Sequence, residues 1–204
     1  MDIKCIDLGK RFQFNWVVRN CNWTFSPDSI TGISGRNGSG KSTLIKMLAT
    51  QLSPSTGKIR FVHDEVLVTE GAVFNHLSLV GPYTGLIQEF TLKEQFDFHF
   101  KFKNKAFDFS LSDFISILDY DGYGNKMIET YSSGMHQRLQ LAFALMSDTS
   151  LVLLDEPTSF LDFEAKKWFY NLLSSKCKNR TVIIASNDLE DLAMCREIYK
   201  MEDL

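Results

Sequence analysis

Along the first twenty residues apolar side chains alternate with polar ones: Ile3, Cys5, Ile6 and Leu8, then Phe12, Phe14, Trp16 and Val18. Period-two alternation marks strands with one buried face, so this stretch predicts short antiparallel strands. Another strand is expected over residues 29–34, running straight into a glycine-rich stretch. Leu44, Ile45, Leu48 and Leu52 then recur at helical spacing, which predicts a helix over residues 42–52 stopped by Ser53-Pro54 and Gly57. Residues 58–62 and 66–68 read as two more strands. From about residue 86 to 146 the character turns helical, and Phe90, Phe96, Phe98, Phe100, Phe102, Phe107, Phe109 and Phe114 crowd there. They are expected to fill the core of a small helical subdomain. The continuous apolar runs at 151–154 and 181–185 fit strands covered on both faces. The sum is an α/β fold: a mixed sheet with N-terminal antiparallel strands and, inserted at approximately residues 84–147, an α-helical subdomain, all within a single domain of residues 1–204.

Composition narrows the classes. With 44% hydrophobic residues, 17 phenylalanines and only four prolines, the chain has enough apolar surface for a core and no low-complexity linker. No stretch approaches the roughly 18 uncharged apolar residues of a membrane span. Asp2, Lys4 and Asp7 stand where a secretory signal would need an apolar run, so a cytoplasmic protein is expected. The formal charge of −3 argues against nucleic acid as partner. Cys5, Cys21, Cys177 and Cys195 are scattered, as are His63, His76, His99 and His136; neither set has metal-ligand spacing, and the cysteines read as reduced thiols.

The chemistry is concentrated in two places. Gly35-Arg36-Asn37-Gly38-Ser39-Gly40-Lys41-Ser42 fits G-x-x-x-x-G-K-[ST] between an expected strand and an expected helix. The glycines let backbone amides turn inward as an anion nest, and the helix adds its positive end. Lys41 is placed to reach the β and γ phosphates of a nucleotide, with Ser42 as a Mg²⁺ ligand and Thr43 beside it in the first turn. Leu151-Val152-Leu153-Leu154-Asp155-Glu156-Pro157 puts an acidic pair at the C-terminal tip of a buried strand, where ligands collect in parallel sheets. Asp155 can hold the Mg²⁺ through water, and Glu156 can orient or deprotonate an attacking water. Together the two segments specify a P-loop nucleoside triphosphatase core.

Tyr131-Ser132-Ser133-Gly134-Met135-His136-Gln137-Arg138-Leu139 precedes the acidic pair by twenty-odd residues. It resembles the signature motif of ATP-binding cassette (ABC) ATPases, and its Y-S-x-G-M-x-Q-R-L form looks most like the ATPase subunits of ABC exporters. Thr158-Ser159-Phe160-Leu161-Asp162 is similar to that family's D-loop, and the resemblance extends over essentially the whole chain. It implies ATP and Mg²⁺ as cofactors, a homodimer closing head to tail, and a separate transmembrane permease that holds the dimer on the cytoplasmic face of the membrane. It also implies that Phe12 stacks on adenine, with Trp16 as the other aromatic in reach. Ser132, Ser133 and Gly134 would act in trans on the γ phosphate held by the second copy's Gly35 to Thr43.

Two positions depart from the family pattern. Where the family places a glutamine after the strand near Val80, this chain has Pro82 or Tyr83, and Gln88 lies too far along. Where the family places a histidine against the γ phosphate, it has Asn187, an amide that donates a hydrogen bond and never becomes cationic. Slow hydrolysis is the expectation, with Lys41, Glu156 and Asn187 as the catalytic group. The alternatives are a soluble ABC-type ATPase without a membrane subunit and a weakly hydrolysing, nucleotide-dependent regulatory module.

Overall fold

The computed structural model describes residues 1–204. In chain order the elements are β1 (Asp2–Phe12), β2 (Asn15–Cys21), β3 (Thr24–Phe25), β4 (Ile30–Ser34), α1 (Lys41–Leu48), β5 (Thr56–His63), β6 (Val66–Val68), β7 (Leu77–Val80), α2 (Leu92–Phe102), α3 (Leu111–Leu118), α4 (Ser133–Met146), β8 (Leu151–Asp155), α5 (Phe163–Lys176), β9 (Thr181–Ser186), α6 (Leu189–Leu192) and β10 (Glu197–Lys200), with short 3₁₀ turns between some of them. The chain divides into two compact units. The first contains Met1–Pro82, Thr149–Pro157 and Cys177–Leu204; the second contains Tyr83–Asp148 and Thr158–Lys176.

The first unit holds two sheets. The antiparallel one runs β2-β1-β5-β6, with β3 also paired to β1, and the alternation over the first twenty residues is its source. The parallel one runs β10-β4-β9-β8-β7. β8 is buried at every position and so is β9, which is why both read as unbroken apolar runs. α1 buries Leu44, Ile45, Met47 and Leu48 in a core shared with Ile33, Phe61, Leu153 and Ile183. At about 1.5–3 kcal/mol per buried aliphatic side chain, that face anchors the helix firmly. The helix ends at Leu48 rather than at residue 52, because Thr50 turns into the left-handed region with φ 57°. Leu52 still packs against the core from the turn, which accounts for its helical spacing in the sequence.

Strand order and register place the loops. Ile30 to Ser34 pairs in parallel with Val182 to Ser186, and Asp155 pairs with Ala185. β4, β9 and β8 are neighbours ending at one edge, so the segments that follow Ser34, Asp155 and Ser186 leave the sheet side by side.

The second unit has its own core, built from Leu92, Phe96, Phe109, Phe114, Leu139, Phe143 and Met146, with Trp168 of α5 packed against it. Phe96, Phe100, Phe109 and Phe114 contact one another at ring-centroid distances of 4.9–6.4 Å. Phe98 and Phe102 depart from the expected core role: they meet edge to face at 5.2 Å and are largely exposed, since a single helix face cannot turn all four phenylalanines of α2 inward. α2 and α3 open on capping boxes, Thr91 with Glu94 and Ser110 with Asp113.

His99 is embedded beside these rings, 4.5 Å from Phe143, with Nε2 2.9 Å from Ser147 Oγ. Ser147 Oγ donates to the Phe143 carbonyl at 2.7 Å, so the imidazole Nε2–H is the donor to Ser147. Burial, with a smaller contribution from Lys103, pushes His99 down to about 4 from an ordinary 6.5. The fold therefore favours neutral His99, and the stability this gives is complete above pH 6.5 and lost as pH falls toward 4, up to about 3 kcal/mol. Urea unfolding at pH 7 and pH 4.5 should show a smaller acid loss in His99→Gln than in the unaltered chain; equal losses would contradict this account.

Candidate functional site

The loop from Gly35 to Lys41 is shaped by two residues in the left-handed region, Gly38 at φ 81° and Gly40 at φ 103°. At Gly40 a Cβ would lie 2.8 Å from Val17 Cγ1 and 2.9 Å from the Val17 carbonyl, so β2 presses on the loop and leaves no space for a side chain. Ser39 N–H closes a turn onto the Arg36 carbonyl at 3.0 Å. Ser39 Oγ is buried and has no hydrogen-bond partner. α1 follows with no side-chain cap and no acid in its first turn, which contains Ser42 and Thr43. Its leading N–H groups are thus left for an anion. An open cleft of about 350 Å³ is lined by Arg36, Asn37, Gly38, Ser39, Met201 and Glu202.

Lys41 is 5% exposed and three oxygens surround its ammonium: Gly35 O at 2.7 Å, Glu156 Oε1 at 3.1 Å and Arg36 O at 3.4 Å. Glu156 follows β8 with φ 51°, and its N–H bonds to the Ala185 carbonyl at 2.8 Å. A left-handed glutamate costs of order 1 kcal/mol, and here the cost is met by the adjacent strand. The bend turns the carboxylate toward the P-loop. Glu156 Oε2 is 3.2 Å from Ser186 Oγ and 3.4 Å from the Asn187 N–H. Asn187 Nδ2 donates to Asn37 Oδ1 at 2.9 Å, tying the segment after β9 to the loop after β4. Asp155 ends β8 almost fully buried, with Gly81 packed so close that a Cβ there would sit 3.1 Å from the Asp155 Cβ.

The fold thus gathers Lys41, Glu156, Asn187 and Asn37, residues separated by up to 150 positions, into one bonded group. Phe12 closes β1, half exposed, with Lys10 Nζ 5.3 Å from its ring. Trp16 is flanked by Arg11 at 5.6 Å and Arg19 at 6.0 Å. Pro82 and Tyr83 are both exposed beyond β7.

Ser132, Ser133 and Gly134 belong to the second unit. Ser132 caps α4 by accepting from the Met135 N–H at 3.2 Å, and a Cβ on Gly134 would lie 3.0 Å from the Phe160 carbonyl. The exposed Ser132 and Ser133 stand at the start of the helix, with the Gly134 backbone against the Thr158–Asp162 stretch. Gln88 bonds to His136, whose other ring nitrogen is 2.9 Å from the Ser132 carbonyl.

Sequence reasoning did not single out Ser186, Asp191, Glu202 or Val17. The Arg36 N–H is 3.4 Å from Glu202 Oε1, and Ser186 Oγ is 2.7 Å from Asp191 Oδ2. Only strand order brings these groups together; a polar residue ending the apolar run of β9 is the single local signal, and it marks Ser186.

The sequence profile of the family described as ABC transporter matches residues 18–159. Among curated proteins the chain is 28% identical over 206 residues to the ABC transporter ATP-binding protein NatA of Bacillus subtilis, covering 96% of this chain and 84% of that one. It is also 28% identical to the Nod factor export ATP-binding protein I of Rhizobium etli, over 96% of this chain and 64% of the relative. Among solved structures, a dimeric ATP-binding cassette in a post-hydrolysis state bound to ADP and Pi has the same fold, with TM-score 0.82 at 19% identity over 97% of this chain and 93% of that one. The loop after β4, the acidic pair after β8 and the serine that caps α4 are thus carried on a fold shared with solved ATP-binding cassettes, and the chain belongs to the ABC transporter family as one of its ATP-binding, ATP-hydrolysing cassettes.

Proposed function

We propose that the chain is the ATPase subunit of an ABC exporter, working as a homodimer on a separate transmembrane permease at the cytoplasmic face of the membrane. No helix is long and apolar enough to cross a membrane, and in this reading the permease provides the membrane path. The export direction is supported by the form of the Tyr131 to Leu139 segment and by the likeness to a Nod factor export ATP-binding protein.

The observation that carries the reading is the contact of Lys41 with Glu156. At rest the ammonium is shared between a carboxylate and two loop carbonyls. A triphosphate in the loop offers it a stronger anion, and the Ser39 hydroxyl and the N–H groups of α1's first turn can donate to the phosphate oxygens. Lys41 then moves to the β and γ phosphates and Glu156 is released. Glu156 takes a proton from water as the water oxygen bonds to the γ phosphorus and the bond to the β-phosphate oxygen breaks, giving ADP and phosphate. A hydroxyl at Ser42 and a carboxylate at Asp155 are hard oxygen donors suited to Mg²⁺, which would neutralise phosphate charge there. Asn187 holds the γ phosphate as a neutral donor, which makes turnover slow. Phe12 stacks on adenine. Ser132, Ser133 and Gly134 of one copy complete the site of the other, so a single copy binds ATP without efficient hydrolysis.

Purification of the tagged chain from detergent-solubilised membranes tests the transporter reading. Recovery with a polytopic membrane protein that raises its ATPase rate is the expected result. Recovery from the soluble fraction alone, with ATPase activity indifferent to membranes, would instead assign it to the soluble ABC-type ATPases.

A further inference from the structure

Ser186 ends β9 fully buried, and its hydroxyl stands between two carboxylates. Oγ is 2.7 Å from Asp191 Oδ2 and 3.2 Å from Glu156 Oε2, while the Asp188 N–H donates to it at 3.0 Å. A serine hydroxyl has one proton to give. With Lys41 beside Glu156 Oε1, the charge of Glu156 is already answered, and the shorter distance places the Ser186 proton on Asp191. Asp191 is 1% exposed on α6, a buried carboxylate that benefits from the donor.

We infer that Ser186 is a positioning residue for Glu156 in the hydrolysis described above, a role that rests on that reading. When Lys41 leaves for the phosphates, Glu156 loses its cation and becomes the more attracting acceptor. Rotation about the Ser186 Cβ–Oγ bond turns the hydroxyl proton from Asp191 to Glu156 Oε2, with no backbone movement. Held at Oε2 by Ser186 and by the Asn187 N–H, the carboxylate keeps Oε1 for the proton of the attacking water. Asp191 holds the hydroxyl ready in the resting state, so the same serine serves the buried acid before nucleotide arrives and the catalytic acid after it.

Steady-state ATP hydrolysis by the purified full chain, with Ser186→Ala alone and in a Glu156→Gln background, tests this. Ser186→Ala removes an oxygen and adds nothing to a packed strand. The expected result is a kcat lowered about tenfold with KM for ATP within about twofold, and no further loss of the residual single-turnover rate when the same change is made beside Glu156→Gln. A kcat kept within about twofold, a parallel rise in KM, or a second tenfold loss in the Glu156→Gln background each overturns the inference while leaving the ATPase reading in place. An unaltered chain that hydrolyses no ATP would overturn both.

Discussion

Glu156→Gln lowers steady-state ATP hydrolysis at least about a hundredfold and leaves ATP binding at least as tight as in the unaltered chain. The size follows from general-base catalysis, where removing the positioned base typically costs 10²–10⁴ in rate. The sign on binding follows from the resting contact of Lys41 with Glu156 Oε1 at 3.1 Å. Breaking that pair is part of the work of admitting the triphosphate, and a glutamine holds the ammonium less strongly than a carboxylate does. Phosphate release and equilibrium binding of a fluorescent ATP analogue, measured on the same preparations, check both halves. Equal hydrolysis in the two proteins would remove Glu156 from the chemistry and leave a nucleotide-dependent regulatory module as the better account.

Lys41→Met is expected to weaken ATP binding by about a hundredfold and to leave the fold standing. The loss on binding corresponds to about 2–3 kcal/mol, the scale of a charge-assisted hydrogen bond to phosphate. The fold survives because the buried ammonium contributes little net stability: its desolvation offsets much of its attraction to Glu156, and methionine fills a similar volume. Glu156, about a quarter exposed, can return to water when its partner is gone. Titration calorimetry with ATP and a thermal melt without it separate the two effects. A large fall in melting temperature with unchanged affinity would reverse the assignment and make Lys41 a structural residue.

Lys41, Ser42, Asp155 and Glu156 were legible in the sequence because each lies in a short segment whose residue types and flanking elements define it. The antiparallel hairpin of β1 and β2 and the buried strands β8 and β9 were legible through their periodicity. β10 was not: Glu197, Ile198, Tyr199 and Lys200 are partly or fully exposed at a sheet edge, where no burial pattern is imposed. Nor was the membership of α5 in the second unit, because Trp168 packs on a core assembled from α2, α3 and α4 and its indole N–H donates to the Ile117 carbonyl 51 positions earlier. The same holds for the bond between Asn37 and Asn187 and for the serine between Glu156 and Asp191. These are products of strand order, and β4, β9 and β8 become neighbours only in three dimensions.

α2, α3 and α4 each begin on a side chain that answers their first N–H groups, whereas α1 begins on Gly40 with none. The helix at the centre of the first unit is thus finished by its ligand, and the unit's resistance to unfolding rises and falls with nucleotide supply. With ATP at a hundredfold excess over its dissociation constant, the linked gain is about 2.7 kcal/mol, a large share of what a domain of this kind has in reserve. In a starved cell the protein would lose its substrate and much of its thermal margin together, so its lifetime there is set by energy charge as well as by sequence.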